Sequence, residues 1–69
     1  MRIFLQNYET GKFFKSVGNW TDHLADAHEF PSAERAVEVA QELRLQKVQM
    51  VVMSDDGMPI SETRLEIDL

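Results

Sequence analysis

The spacing of apolar and polar positions changes several times along the chain, and each change predicts an element. From Arg2 to Tyr8 and from Lys12 to Val17 aromatic and β-branched residues dominate. The two runs flank Glu9-Thr10-Gly11, a three-residue loop with glycine where the chain needs a positive φ, so a β-hairpin is expected over residues 2–17. With Tyr8 opposite Lys12, Gln6 meets Phe14, Leu5 meets Lys15 and Ile3 meets Val17. That register puts Ile3, Leu5, Phe13 and Val17 on one face and Phe4, Tyr8 and Phe14 on the other.

Gly18-Asn19 ends the run, and residues 18–31 read as a polar loop anchored by three large apolar side chains, Trp20, Leu24 and Phe30. Thr21 can cap a single helical turn within it, and all three anchors are expected to be largely buried against the sheet and helix ends. After Pro31 the period becomes helical. Ala33, Ala36, Val37, Ala40 and Leu43 recur on one side, with Glu34, Arg35, Glu38, Gln41, Glu42 and Arg44 on the other. Ser32 supplies an N-cap and Glu34 sits beside the positive end of the dipole, so the spacing predicts a helix over 33–45.

Residues 47–53 are a β-branched strand, followed by a turn over 54–58 centred on Asp55-Asp56-Gly57. A two-residue and a three-residue turn differ by one step, which decides whether Leu65 shares a face with Val48 or with Val51. The alternation of Leu65, Ile67 and Leu69 with Arg64, Glu66 and Asp68 predicts an edge strand over 62–69, with Pro59 holding its beginning to an edge or outside the sheet. Together these elements make a single α+β domain, 1–69, of ββαββ order. One helix packs on a three- to four-stranded antiparallel sheet in spatial order 2-1-3-4, through a right-handed crossover.

Length then limits what such a fold can do. A chain of 69 residues buries only about 60% of the surface its unfolded form exposes, which leaves little interior for a deep cleft. With 43% apolar and 28% charged residues it is composed as a folding chain rather than a disordered one. The absence of cysteine removes disulfides, thiolate nucleophiles and sulfur-ligated zinc, and fits a reducing, cytoplasmic setting. The longest aliphatic run, Met50-Val51-Val52-Met53, is far short of the roughly 20 residues that cross a bilayer. A net charge of −5 opposes sequence-independent phosphate binding, so nucleic acid is not the expected partner.

Candidate chemistry is sparse. His23 and His28 stand among Asp22, Asp26 and Glu29, but five residues put two side chains about 140° apart on a helix, where metal ligands want i and i+4. Polar side chains on the outside of an anchored loop are the better explanation. Asp55-Asp56-Gly57 lacks the remaining ligands of a calcium loop. Ser16, Ser32, Ser54 and Ser61 fall in no nucleophile motif, and Gly11, Gly18 and Gly57 each stand alone at a turn rather than in a phosphate cradle. No catalytic, cofactor or metal residue is expected, and the chain reads as a binding part rather than an enzyme.

The more informative feature is the second sheet face. A sheet covered by one helix usually keeps its other face polar, yet Phe4, Tyr8 and Phe14, with Val51 and Met53 nearby, are expected there. Either the 18–31 loop covers them, or they form an interaction face for a protein partner, including an identical chain. The leading expectation is a non-enzymatic protein-interaction module that self-associates through those aromatics. The alternative is an acidic inhibitor or regulator that occupies a basic site on a nucleic-acid enzyme.

The run from Asn7 to Phe14, then Trp20-Thr21, then Ala27-His28-Glu29-Phe30 and Ser32 leading into an alanine-bearing helix, resembles a family of small uncharacterised bacterial and phage-associated ββαβ-type domains. The likeness covers about residues 3–53 and stops before Ser54. It implies the hairpin, helix and strand but no assigned activity, so it carries no catalytic residue over to this chain.

Overall fold

The computed structural model describes residues 1–65, and in them the α+β class is as expected. The elements are β1 (Arg2–Asn7), β2 (Phe13–Ser16), β3 (Asn19–Thr21), a 3-10 turn at Leu24–Asp26, α1 (Ala33–Glu42), β4 (Val48–Met53) and β5 (Pro59–Arg64). They build one antiparallel five-stranded sheet in the order β3-β2-β1-β4-β5. The four strands of the ββαββ reading keep their expected neighbours. The fifth comes from the region read as loop: Val17-Gly18 turns the chain back, and Asn19–Thr21 pairs with β2, Trp20 opposite Phe14. Three residues are too few to show a strand period, which is why the segment reads as loop.

The first hairpin differs from expectation by one step. Asn7, not Tyr8, closes the loop: its N–H donates to the Lys12 carbonyl (2.8 Å), and its side-chain Oδ1 accepts from Glu9 and Thr10 N–H (2.9 and 3.0 Å). Asparagine thus mimics a backbone turn and makes a four-residue loop, Tyr8–Gly11, with Gly11 at φ 79°. Gln6 consequently faces Phe13, and because side chains alternate, Phe13 and Phe14 exchange faces. Phe14 joins Ile3 and Leu5, while Phe13 joins Phe4 in an edge-to-face pair at 6.1 Å.

At the second hairpin the turn has three residues, with Ser54 N–H donating to the Met58 carbonyl and Gly57 at φ 87°. A bulge at Ile60 then restores the lost step: Met53 faces Pro59, but Val52 faces Ser61. Leu65 therefore lands on the face of Val48 and packs into its cluster. β5 begins at Pro59, earlier than residue 62, because the first position of an edge strand tolerates a missing N–H. The remainder of the expected edge strand, 66–69, lies outside the described residues.

Two cores result. On the helix side Leu5, Phe14, Phe30, Ala36, Ala40 and Val48 are buried together, joined by Trp20, Val39, Leu43 and Leu45. Ser32 caps α1, its Oγ accepting from Arg35 N–H at 3.1 Å, as its position predicts. The helix stops at Glu42 rather than 45 because Arg44 adopts φ 51°. Leu45 N–H then reaches the Ala40 carbonyl and Arg44 N–H the Gln41 carbonyl, a Schellman closure that turns Leu45 into the core. On the opposite face Phe4, Val51 and Met53 are buried beneath Phe13, Leu24 and Ala27.

The chain passes from one face to the other through the first hairpin. β1 and β2 pair at Gln6 and Phe13, and beyond that point they open. The segment after the 3-10 turn bridges the opening, His28 N–H to the Phe14 carbonyl (2.9 Å) and Phe30 N–H to the Ile3 carbonyl (2.8 Å). This bridge satisfies backbone groups that the parted strands would otherwise leave unpaired. It also delivers Phe30 to the helix side, leaving Leu24 and Ala27 behind on the other.

Candidate functional site

The expected interaction face does not exist as one surface. Phe4, Val51 and Met53 lie together on the face opposite the helix, but they are buried, Phe4 completely, under the chain's own 3-10 turn. Phe14 belongs to the other face, for the register reason given above. Tyr8, 37% exposed, stands apart at the loop end, where the Arg64 guanidinium lies 4.3 Å above its ring. The anchors of the 18–31 region divide as well: Phe30 is buried and Trp20 half-buried on the helix side, and Leu24 is half-buried on the other. Thr21 does not cap the turn; its Oγ1 accepts from His23 N–H, and the turn starts at Leu24.

The open part of the second face is polar. Gln49, nearly buried, donates through Nε2 to Gln6 Oε1 (2.8 Å) and to Glu62 Oε2 (3.1 Å), linking β1, β4 and β5. A fully satisfied network of this kind ties strands together and leaves no orphaned donor for a ligand; no buried side-chain polar atom among the described residues lacks a partner. At the loop end Lys47 Nζ pairs with Glu9 Oε1 at 3.0 Å, and that carboxylate raises the ammonium pKa above its ordinary value. In the Asp55–Gly57 turn the Ser54 hydroxyl donates to Asp56 Oδ1, which lowers that carboxyl's pKa. Both pairs brace turns at the surface.

A concave surface on which several elements converge lies elsewhere, between α1 and β2. This groove, about 370 Å³, has Phe14 and Phe30 as its floor and Val39 and Leu43 as its helical wall. The two phenyl rings stack at 6.1 Å with 25° between their planes, and the His28 ring meets Phe30 edge-on at 4.6 Å. Trp20 braces Phe14 from behind, edge-to-face at 5.7 Å. Val17, 72% exposed at the hairpin tip, forms an apolar lip. The rim is charged: Lys15 on the strand, and on the helix Arg35, whose Nη1 lies 3.2 Å from Glu38 and 3.8 Å from Glu42. A second concavity runs along α1 at Ala33 and Val37, lined among the described residues by that helix alone.

The groove thus sets an aromatic floor and an aliphatic wall inside a charged rim. Among the described residues no three His, Asp or Glu side chains stand together as a metal site, and no helix is long and apolar enough to cross a membrane. Sequence reasoning missed the groove for two reasons. Val39 belongs to neither the apolar nor the polar set that the helical spacing picks out, and Phe14 is expected on the other face. Comparison with family models, with curated proteins and with solved structures finds no match to this chain.

Proposed function

We propose that this domain is a non-enzymatic protein-interaction module that receives an apolar side chain of a partner in the groove between α1 and β2. The observation that supports this reading is an aromatic floor flanked by exposed Val17 and half-buried Val39 and Leu43, with charges confined to the rim. That is the anatomy of an anchor pocket: apolar centre, polar margin. The floor is held by the core itself, so the pocket is formed before a partner arrives and little ordering entropy opposes binding.

The acidic-regulator reading draws on the net charge of −5. The ion pairs leave that net charge unchanged but intersperse it with cations: Glu29 pairs with Arg2, Glu9 with Lys47, Glu38 and Glu42 with Arg35, and Asp55 with the terminal amine. An acidic surface so interleaved with cations steers a basic partner less than an unpaired one does. Binding that weakens steeply with salt would favour this alternative over the groove.

Selection from a random peptide library, followed by chemical-shift mapping on the isotopically labelled chain, tests the groove. Selected peptides are expected to carry a large apolar residue and to shift Val17, Val39 and Leu43. Val17→Asp, at a position too exposed to affect folding, should weaken them about tenfold or more. Peptides that map to another surface, or that bind Val17→Asp unchanged, refute the assignment.

A further inference from the structure

We propose that β5 is a self-complementary edge through which two copies of this chain join their sheets, in a single register centred on Thr63. All six residues of β5 are exposed, and among the described residues the strand pairs with β4 alone. Among the described residues no strand meets its other edge, whose N–H and C=O groups make a ready template for one.

The hydrogen-bond alternation decides which residues can pair. Leu65 N–H donates to the Val48 carbonyl at 3.0 Å, so Leu65, Thr63 and Ser61 direct their backbone groups inward to β4. Glu62 and Arg64 direct theirs outward. In a twofold antiparallel pairing, outward residues must therefore meet outward residues.

Charge then chooses among the registers centred on a residue of β5. Centring on Glu62 sets two carboxylates opposite each other, and centring on Arg64 sets two guanidiniums opposite, both unfavourable. Centring on Ser61 carries the pairing into Pro59 and the bulge at Ile60, where the ladder is already broken. Centring on Thr63 places Glu62 opposite the partner's Arg64 and Arg64 opposite the partner's Glu62, with threonine against threonine on the axis. Each charge already has a neighbour of its own, Gln49 for Glu62 and Tyr8 for Arg64. The Gln49 bond occupies one carboxylate oxygen, and stacking on Tyr8 leaves the guanidinium N–H edge free.

The pairing joins two five-stranded sheets into one and leaves each α1–β2 groove unobstructed, because β2 lies on the far side of β1 from β5. So short a ribbon buries less than the roughly 1,200 Å² of a stable interface, which makes the dimer a weak, concentration-dependent one.

Sedimentation of the full chain from about 10 µM to about 1 mM reads the association directly. The wild type should dimerise toward the upper end. Glu62→Arg and Arg64→Glu, each of which sets like charges opposite each other, should weaken the dimer about tenfold or more. The combined variant E62R/R64E restores opposite charges in this register and should recover the dimer to within about threefold. Amide spectra of each variant verify the fold. A mixed sample of labelled and unlabelled chains should also show an intermolecular contact between the two Thr63 α-protons. A monomer at the highest concentration, a dimer indifferent to both single variants, or a double variant that fails to recover while remaining folded overturns the proposal.

Discussion

The two faces of this sheet are closed by different means, and the difference governs where the domain can be broken. The helix side carries a ten-residue α-helix, fixed at one end by Ser32 and at the other by the Arg44 turn, over six buried side chains. Among the described residues the second side is closed by the 3-10 turn and the residue after it, which set Leu24 and Ala27, both half-buried, on three buried ones. The central strand belongs to both: Phe4 and Leu5 are adjacent and each has no exposed surface. A domain of this size thus gains a second small core from a segment too short to form a long element, and β1 is where the two cores meet.

Truncating β1 should therefore cost most. Leu5→Ala is expected to lose about 2–5 kcal/mol and Phe4→Ala about 3–5 kcal/mol, comparable with the whole stability of so small a domain. Denaturant unfolding reads both. If Phe4→Ala cost under about 1 kcal/mol, the second face would be no core at all. Trp20→Ala comes next. Half-buried at the sheet edge and braced against Phe14, it should cost about 2 kcal/mol, less than full burial would imply. An unchanged melting midpoint would show that β3 contributes nothing to the helix-side core.

Leu24→Ala probes the thinner cover by itself, with about 1–2 kcal/mol expected. The sharper measurement is amide exchange. Truncation at Leu24 should speed exchange around Phe13 and Ala27 through local opening, while the amides of Ala36 and Ala40 follow only the change in global stability. Equal acceleration on both sides would mean that the two faces open as one unit.

The unequal closure also explains how much could be read from the sequence. Elements with repeated or chemically specific signals were legible: the Ser32 cap, the Ala36 and Ala40 stripe, and the glycines at the hairpin turns. The class, the four principal strands and their neighbour relations follow from these. What escaped was decided by single residues acting out of type. Asn7 looks like the end of a strand but closes a loop with its side chain, and that one step transfers Phe14 from the supposed interaction face into the helix-side core. The bulge at Ile60 leaves no compositional trace. Asn19–Thr21 is too brief to alternate visibly, and the groove depends on the face of Phe14, so it could not be seen until the register was known.

The smallest expected effect concerns the end of the helix. Arg44 holds φ 51°, a conformation that crowds any side chain with a Cβ, and its place in the Schellman closure is one where helices usually have glycine. The strain persists because packing half-buried Leu45 against the core and satisfying the carbonyls of Ala40 and Gln41 outweighs it. Arg44→Gly removes the crowding but adds freedom to the unfolded chain, so the net gain should be about 0.5–1 kcal/mol. Lys47→Gly is the informative contrast. Lys47 sits at φ 58°, but the substitution also deletes the ion pair with Glu9, so its gain should be smaller. Denaturation midpoints rank the two. Because Arg44 anchors the helix cover alone, Arg44→Gly should slow global exchange at Ala36 and Ala40 yet leave the local opening near Ala27 unchanged. Equal slowing at Ala27 would show that the 3-10 turn opens only when the helix does, and the two closures would then be one.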